Sequence, residues 1–226
     1  METSWTQNNF SKENMKGAII YISSCRENPA FEWKVIRDML SKRNNLSVFC
    51  VTQKPMAFGK NLCIGDVGTS GFNFCRQLQM VIKMAKADYV VSCEADCLYS
   101  PDYFKFVPPK LDRVYRNTHN FVIPYNQDVF YIKDSQTAFQ VAGRNFLLDR
   151  LNFLLKGQPQ WNTKMKNFPK EIKLPFLEGW DTFKTKYGCF QIKTGDSMRK
   201  QTRHGKNPIG ELPYWGTAKQ IREKYL

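Results

Sequence analysis

Tyr89-Val90-Val91-Ser92-Cys93-Glu94-Ala95-Asp96 is the stretch whose reading decides the fold. A mostly apolar run of this length marks a strand covered on both faces, as in parallel sheets. It ends in two carboxylates spaced two apart, followed by Leu98-Tyr99-Ser100-Pro101. Acids at the carboxyl end of such a strand project into the crevice where open α/β sheets place ligands. An acid-x-acid pair offers a divalent cation hard oxygen ligands and leaves positions for water and phosphate. Glu94 and Asp96 are therefore expected to form a metal-diphosphate site, against the plainer alternative of a capping or solvated acid pair.

On the N-terminal side, Gly17 to Ile22 reads as a first buried strand. Ser23 to Pro29 is a polar loop leading into a helix over 30–43, where Phe31, Trp33, Val35, Ile36, Met39 and Leu40 recur at near-helical spacing. Leu46 to Val51 is a second strand, which completes a βαβ beginning. A glycine-bearing loop from Pro55 to Gly71 follows, with neither G-x-G-x-x-G nor a Walker signature. Phe74, Leu78, Val81, Ile82 and Ala85 then mark a helix feeding the strand at 89–93.

On the C-terminal side, Phe121 to Tyr125 and Val129 to Ile132 predict a hairpin added to the parallel sheet, with Asn126-Gln127-Asp128 as its turn. Residues 136–155 read as a helix. Residues 156–213 lack periodicity, are rich in Lys, Pro and Gly, and carry scattered aromatics such as Trp161, Trp180 and Tyr187. They suit a binding lid, a nucleic-acid groove, or a surface excursion packed by its own rings. The last residues, from Thr217, form a short amphipathic helix. The fold expected is α/β: one domain with a Rossmann-type mixed sheet flanked by helices and a basic, loop-rich C-terminal region.

At 226 residues and 42% hydrophobic, the chain can bury a substantial single core. No apolar run approaches the roughly 18 residues of a membrane span, and no secretory signal opens the sequence, so a cytoplasmic protein is expected. Seven cysteines without a C-x-x-C pair, beside only His119 and His204, point to reduced buried thiols rather than zinc. The net charge of +14 is uneven, with 15 basic and 6 acidic residues in 151–226 against 19 and 14 in 1–150. A polyanion or phosphorylated ligand is the natural partner of such a chain.

With the strand-helix alternation and Glu94-Ala95-Asp96-Cys97-Leu98-Tyr99-Ser100-Pro101 in place, residues 17–210 resemble the GT-A fold glycosyltransferases. The resemblance implies a nucleoside-diphosphate sugar as donor, a UDP-sugar being favoured, and Mn²⁺ or Mg²⁺ as cofactor. It implies that 17–110 bind the donor and 111–226 the acceptor. Ser23, Ser24, Arg26 and Glu27 would meet the base, and Asn73, Arg76 and Gln77 the ribose and diphosphate. His204 would return to complete the metal shell, with Arg203 and Lys206 neutralising the diphosphate. An inverting enzyme would need a base, and Glu178 or Asp181 fits that role beside the aromatic Trp180; a retaining enzyme would need none. Glu94 departs from the more usual Asp, which leaves Asp96 as sole metal ligand an alternative. The basic C-terminal third and a similarity to phage enzymes point to a hydroxymethylated pyrimidine in DNA as acceptor, reached by base flipping. A glycan or lipid-linked acceptor, and a DNA-binding protein without catalysis, are the alternatives.

Overall fold

The structure, a computed structural model, describes residues 15–133, 137–165, 180–197 and 205–226. Its main sheet begins with β1 (Gly17–Ser23), which crosses through α1 (Pro29–Lys42) to β2 (Ser47–Thr52). Asn28 starts α1 by accepting from the Ala30 and Phe31 amides, and Pro29 takes the first turn, where its missing N–H costs nothing. The glycine-bearing loop contains a strand unforeseen in the sequence, β3 (Lys60–Cys63), parallel to β2. From β3 the chain passes through α2 (Gly71–Met84) to β4 (Tyr89–Glu94), which lies on the other side of β1.

The order of the seven-stranded sheet is β10-β6-β9-β4-β1-β2-β3, where β6 is Val114–Asn117, β9 Gln140–Gly143 and β10 Trp180–Phe183. All strands run parallel except β9, which is antiparallel to both β4 and β6. The expected helix over 136–155 is thus corrected: Gln140–Gly143 is a fully buried strand, and α3 (Arg144–Leu154) begins directly after it. The expected hairpin is also relocated. Its strands, β7 (Asn120–Ile123) and β8 (Phe130–Lys133), pair antiparallel, but in a second sheet of order β12-β8-β7-β11-β5. There β5 is Cys97–Leu98, β11 Cys189–Ile192 and β12 Pro208–Ile209. A small ribbon, β13 (Glu211–Leu212) with β14 (Gly216–Thr217), precedes α4 (Ala218–Tyr225), which the Thr217-Gln220 capping box opens.

Alternation along the strands divides the core. Ile19, Tyr21, Val91 and Cys93 pack with Ile36 and Met39 of α1, while Ile20, Ile22 and Val90 pack with Leu78, Val81 and Ile82 of α2 and Leu147 of α3. The second sheet covers the outer side of α1 through Phe121, Phe130 and Phe190, which meet Phe31, Val35 and, on α4, Ile221. Each such aromatic or aliphatic side chain, once buried, contributes about 1.5–3 kcal/mol to keeping the layers together. All seven cysteines are unpaired thiols, five of them buried. Among the described residues no helix is long and apolar enough to cross a membrane.

Candidate functional site

The connection from β1 leaves toward β2 and the connection into β4 arrives from the other side, so a crevice opens between the carboxyl ends of β1 and β4. It is a cavity of about 730 Å³, large enough for a nucleotide-sized ligand. Eight of the residues expected at the site line it: Ser23, Ser24, Arg26 and Glu27 at and beyond the end of β1, Asn73 and Gln77 on α2, and Glu94 and Asp96 at and beyond the end of β4.

The wall after β1 is held from below. Glu32 of α1, itself buried, accepts from the Tyr21 hydroxyl at 2.7 Å, and the Ser23 Oγ accepts from the Cys25 amide at 2.8 Å. Cys25 adopts a left-handed backbone (φ 52°), unusual for a residue with a side chain and a sign of a loop whose shape is imposed by its surroundings. Desolvation raises the pKa of Glu32, opposed by hydrogen bonds from Ser23 and Tyr21. Glu27 is raised as well by burial, although the Thr194 hydroxyl donates to its carboxylate and stabilises its charge.

The opposite wall is the N-terminus of α2. Ser70 caps it by accepting from the Asn73 amide at 2.9 Å, and Gly68 to Gly71 present backbone to the cavity. The positive end of the helix dipole favours an anion here by about 0.3–1 kcal/mol. Gln53, at the end of β2, ties this wall down by donating to the Gly68 carbonyl at 2.9 Å and accepting from the Val67 amide at 3.3 Å.

On the floor, one oxygen each from Glu94 and Asp96 and the Cys97 sulfur lie within 4.8 Å of one another. Burial, then repulsion from Asp96, pushes Glu94 up to about 7, and Lys193 only partly offsets this. Among the described residues no hydrogen bond reaches the Glu94 carboxylate; its backbone amide donates to the Tyr99 hydroxyl at 2.8 Å. Two hard carboxylates this close together suit a divalent oxygen-seeking cation. The thiol is a poor third ligand, since burial holds Cys97 protonated and it donates to Asp96 Oδ1 at 3.4 Å.

Other expected residues lie elsewhere. Arg76 does not face the cavity: its guanidinium donates to the carbonyls of Gln158, Pro159 and Gln160 and to Gln79, clamping the segment after α3 onto α2. Asp181 sits on β10, the outermost strand, paired with Arg113 at 2.8 Å and three strand spacings from β4. That is about 14 Å across the sheet from β4, and Asp181 is not among the residues that line the cavity. Lys206 is exposed beside β8 and does not line the cavity. Asn73 lines it, but its amide is committed to the carbonyls of Val67 and Gly68 and to the Asn162 amide. Glu178, Arg203 and His204 lie outside the described residues.

Several lining residues escaped sequence reasoning: Gln53, Lys133, Thr137, Gln191 and Lys193. Gln191 lies on β11 and Lys193 directly follows it; the pairing of β11 with β5 brings the Ile192 amide to the Asp96 carbonyl at 2.8 Å.

No protein-family model matches the chain, and no curated protein sequence matches it. Solved structures show a distant likeness. Staphylococcus aureus TarS residues 1–349 are 12% identical over 79% of this chain and 61% of that one, with a TM-score of 0.48. A Drosophila β-1,4-galactosyltransferase 7 mutant in complex with manganese, UDP-Gal and xylobiose is 12% identical over 80% and 69%, with a TM-score of 0.43. The bifunctional IspDF of Campylobacter jejuni is 9% identical over 76% of this chain but only 50% of its own, at 0.43. The chain thus spans half of the last protein's length and about three fifths of TarS 1–349. Identities and scores this low leave the chemistry to be argued from the site itself.

Proposed function

We propose that the chain is a metal-dependent glycosyltransferase of the GT-A type that takes a nucleoside-diphosphate sugar, UDP-sugar being the favoured donor. The observation that carries the proposal is the convergence of Glu94, Asp96, the loop after β1 and the N-terminus of α2 on one cavity at the switch point of the sheet. Glu94 and Asp96 would hold Mn²⁺ or Mg²⁺, which when bound offsets the negative charge of the diphosphate. Ser23, Ser24, Arg26 and Glu27 form the wall for the base. Lys193, Lys133 and the α2 N-terminus bring positive charge to the departing phosphates. Gln77 offers a buried, unpartnered amide Nε2 to the ligand, in contrast to Asn73, whose bonds are already made.

His204 is proposed as a further metal ligand, with Arg203 and Lys206 as cations of the same segment. Glu178 is proposed as the base of an inverting reaction, with Asp181 of β10 as the alternative. The proposed acceptor is a hydroxymethylated pyrimidine in DNA, supported by the 15 basic and 6 acidic residues of 151–226.

The test is incubation of the chain and of Asp96→Asn with Mn²⁺ and a panel of UDP- and GDP-sugars, with hydroxymethylated and unmodified DNA as acceptors. Release of nucleoside diphosphate that needs metal, Asp96 and the hydroxymethyl group supports the proposal. Release without transfer to DNA would leave a transferase with a glycan or lipid-linked acceptor, and DNA binding without release would leave a binding protein.

A further inference from the structure

Asp96 is already occupied by the protein itself. Its Oδ2 accepts from Gln191 Nε2 at 2.9 Å and faces Lys193 Nζ at 3.5 Å. The lysine and aspartate side chains are only 6% and 13% exposed, so the pair is shielded from bulk water and interacts more strongly than a surface pair. The backbone beneath Lys193 is pinned on both sides. The Ile192 amide donates to the Asp96 carbonyl at 2.8 Å, the Lys193 amide donates to the Ile123 carbonyl at 2.9 Å, and the next hydroxyl, that of Thr194, donates to Glu27. The end of β11 is therefore fixed, whereas an ammonium on a four-carbon stem can turn between anions within its reach.

A dication and Lys193 compete for the same oxygen. We propose that Lys193 is a tethered competitor for the divalent cation: it holds Asp96 in the ligand-free protein and releases it when an incoming diphosphate takes over the ammonium. The inference rests on the metal-diphosphate reading of the site and adds an order to it. Free metal binds poorly because a positive charge already stands at its ligand. Nucleotide supplies Lys193 with another anion, so nucleotide and metal each tighten the other, and by the same factor. Lys193 contacts the diphosphate itself in this scheme, and its loss has opposite effects on the two ligands.

The experiment measures Mn²⁺ binding by electron paramagnetic resonance, with and without UDP, and UDP binding in the presence of EDTA by calorimetry. In the wild type, UDP is expected to tighten Mn²⁺ binding by about tenfold or more. Lys193→Met is expected to bind Mn²⁺ alone about tenfold more tightly than the wild type, and UDP in EDTA several-fold more weakly. Lys193→Gln, which keeps a hydrogen-bond donor for Asp96 without the charge, is expected to shift both ligands in the same directions. Thermal unfolding establishes which variants are folded. A folded variant that binds free Mn²⁺ no more tightly than the wild type overturns the inference, as does a wild type whose Mn²⁺ affinity is unchanged by UDP. A wild type that binds neither ligand, alone or together, brings down the metal-diphosphate reading and the inference with it.

Discussion

Glu94 stands at the last position of β4, where burial and Asp96 hold its carboxyl at about 7, well above the ordinary value of about 4.3 in an unfolded chain. Between those two values the folded protein binds the extra proton. Without metal, its contribution to stability is therefore full below about pH 4, declines as pH rises through the window, and is lost above about pH 7. Glu94→Gln removes this liability. Thermal melts in EDTA should show the variant more stable than the wild type by about 2 kcal/mol at pH 8, with the gap closing toward pH 4. Gln77 offers a second test at single-residue scale. Its Nε2 is buried and unpartnered, so Gln77→Leu should leave the melting temperature unchanged or raised while weakening nucleotide-sugar binding about fivefold. Ser23, Arg26 and Glu27 were legible in the sequence because they sit in one short loop after a strand already recognised. Gln191 and Lys193 were not, because they reach Asp96 through a pairing 95 and 97 residues away. The alternation Phe190-Gln191-Ile192-Lys193 was the available signal, apolar and polar by turns as strand periodicity requires.

Among the elements, β9 shows most clearly where sequence pattern fails. Gln140-Val141-Ala142-Gly143 runs into Arg144 and the apolar spacing of α3 without a turn residue that breaks a helix outright, so the two read as one helix. What separates them is long-range: β9 fills the space between β4 and β6, and Gly143 crosses so near the chain at Leu111 that an added Cβ would lie 1.7 Å from the Leu111 carbonyl oxygen. Gly143→Ala should therefore destabilise the protein by about 3 kcal/mol or more, seen as a large fall in denaturation midpoint. A mild effect would contradict the placement of β9. Arg76 belongs to this scale as well. Its bonds to three successive carbonyls hold the segment after α3, so Arg76→Ala should cost about 2 kcal/mol of stability and leave nucleotide affinity within about twofold. The βαβ start, by contrast, was legible, since α1 and α2 carry a helical hydrophobic period and β1, β2 and β4 read as short apolar runs.

The whole molecule combines an acid-floored cavity at the sheet's switch point with an excess of positive charge in its last third. If that charge meets DNA, transfer to hydroxymethylated DNA should fall steeply between 50 and 200 mM salt, whereas release of nucleoside diphosphate to water should change little. Equal salt dependence of the two would remove the reason for a polyanionic acceptor. The central claim is that Glu94 and Asp96 make the cavity a metal-dependent nucleotide site. Calorimetric titration of the purified chain with UDP and GDP, with and without Mn²⁺, beside Asp96→Asn, tests it most directly. One nucleotide should bind at least tenfold more tightly with Mn²⁺, and Asp96→Asn, still folded, should lose that gain. Binding that ignores both the metal and the substitution, or no binding of either nucleotide under any condition, would contradict it.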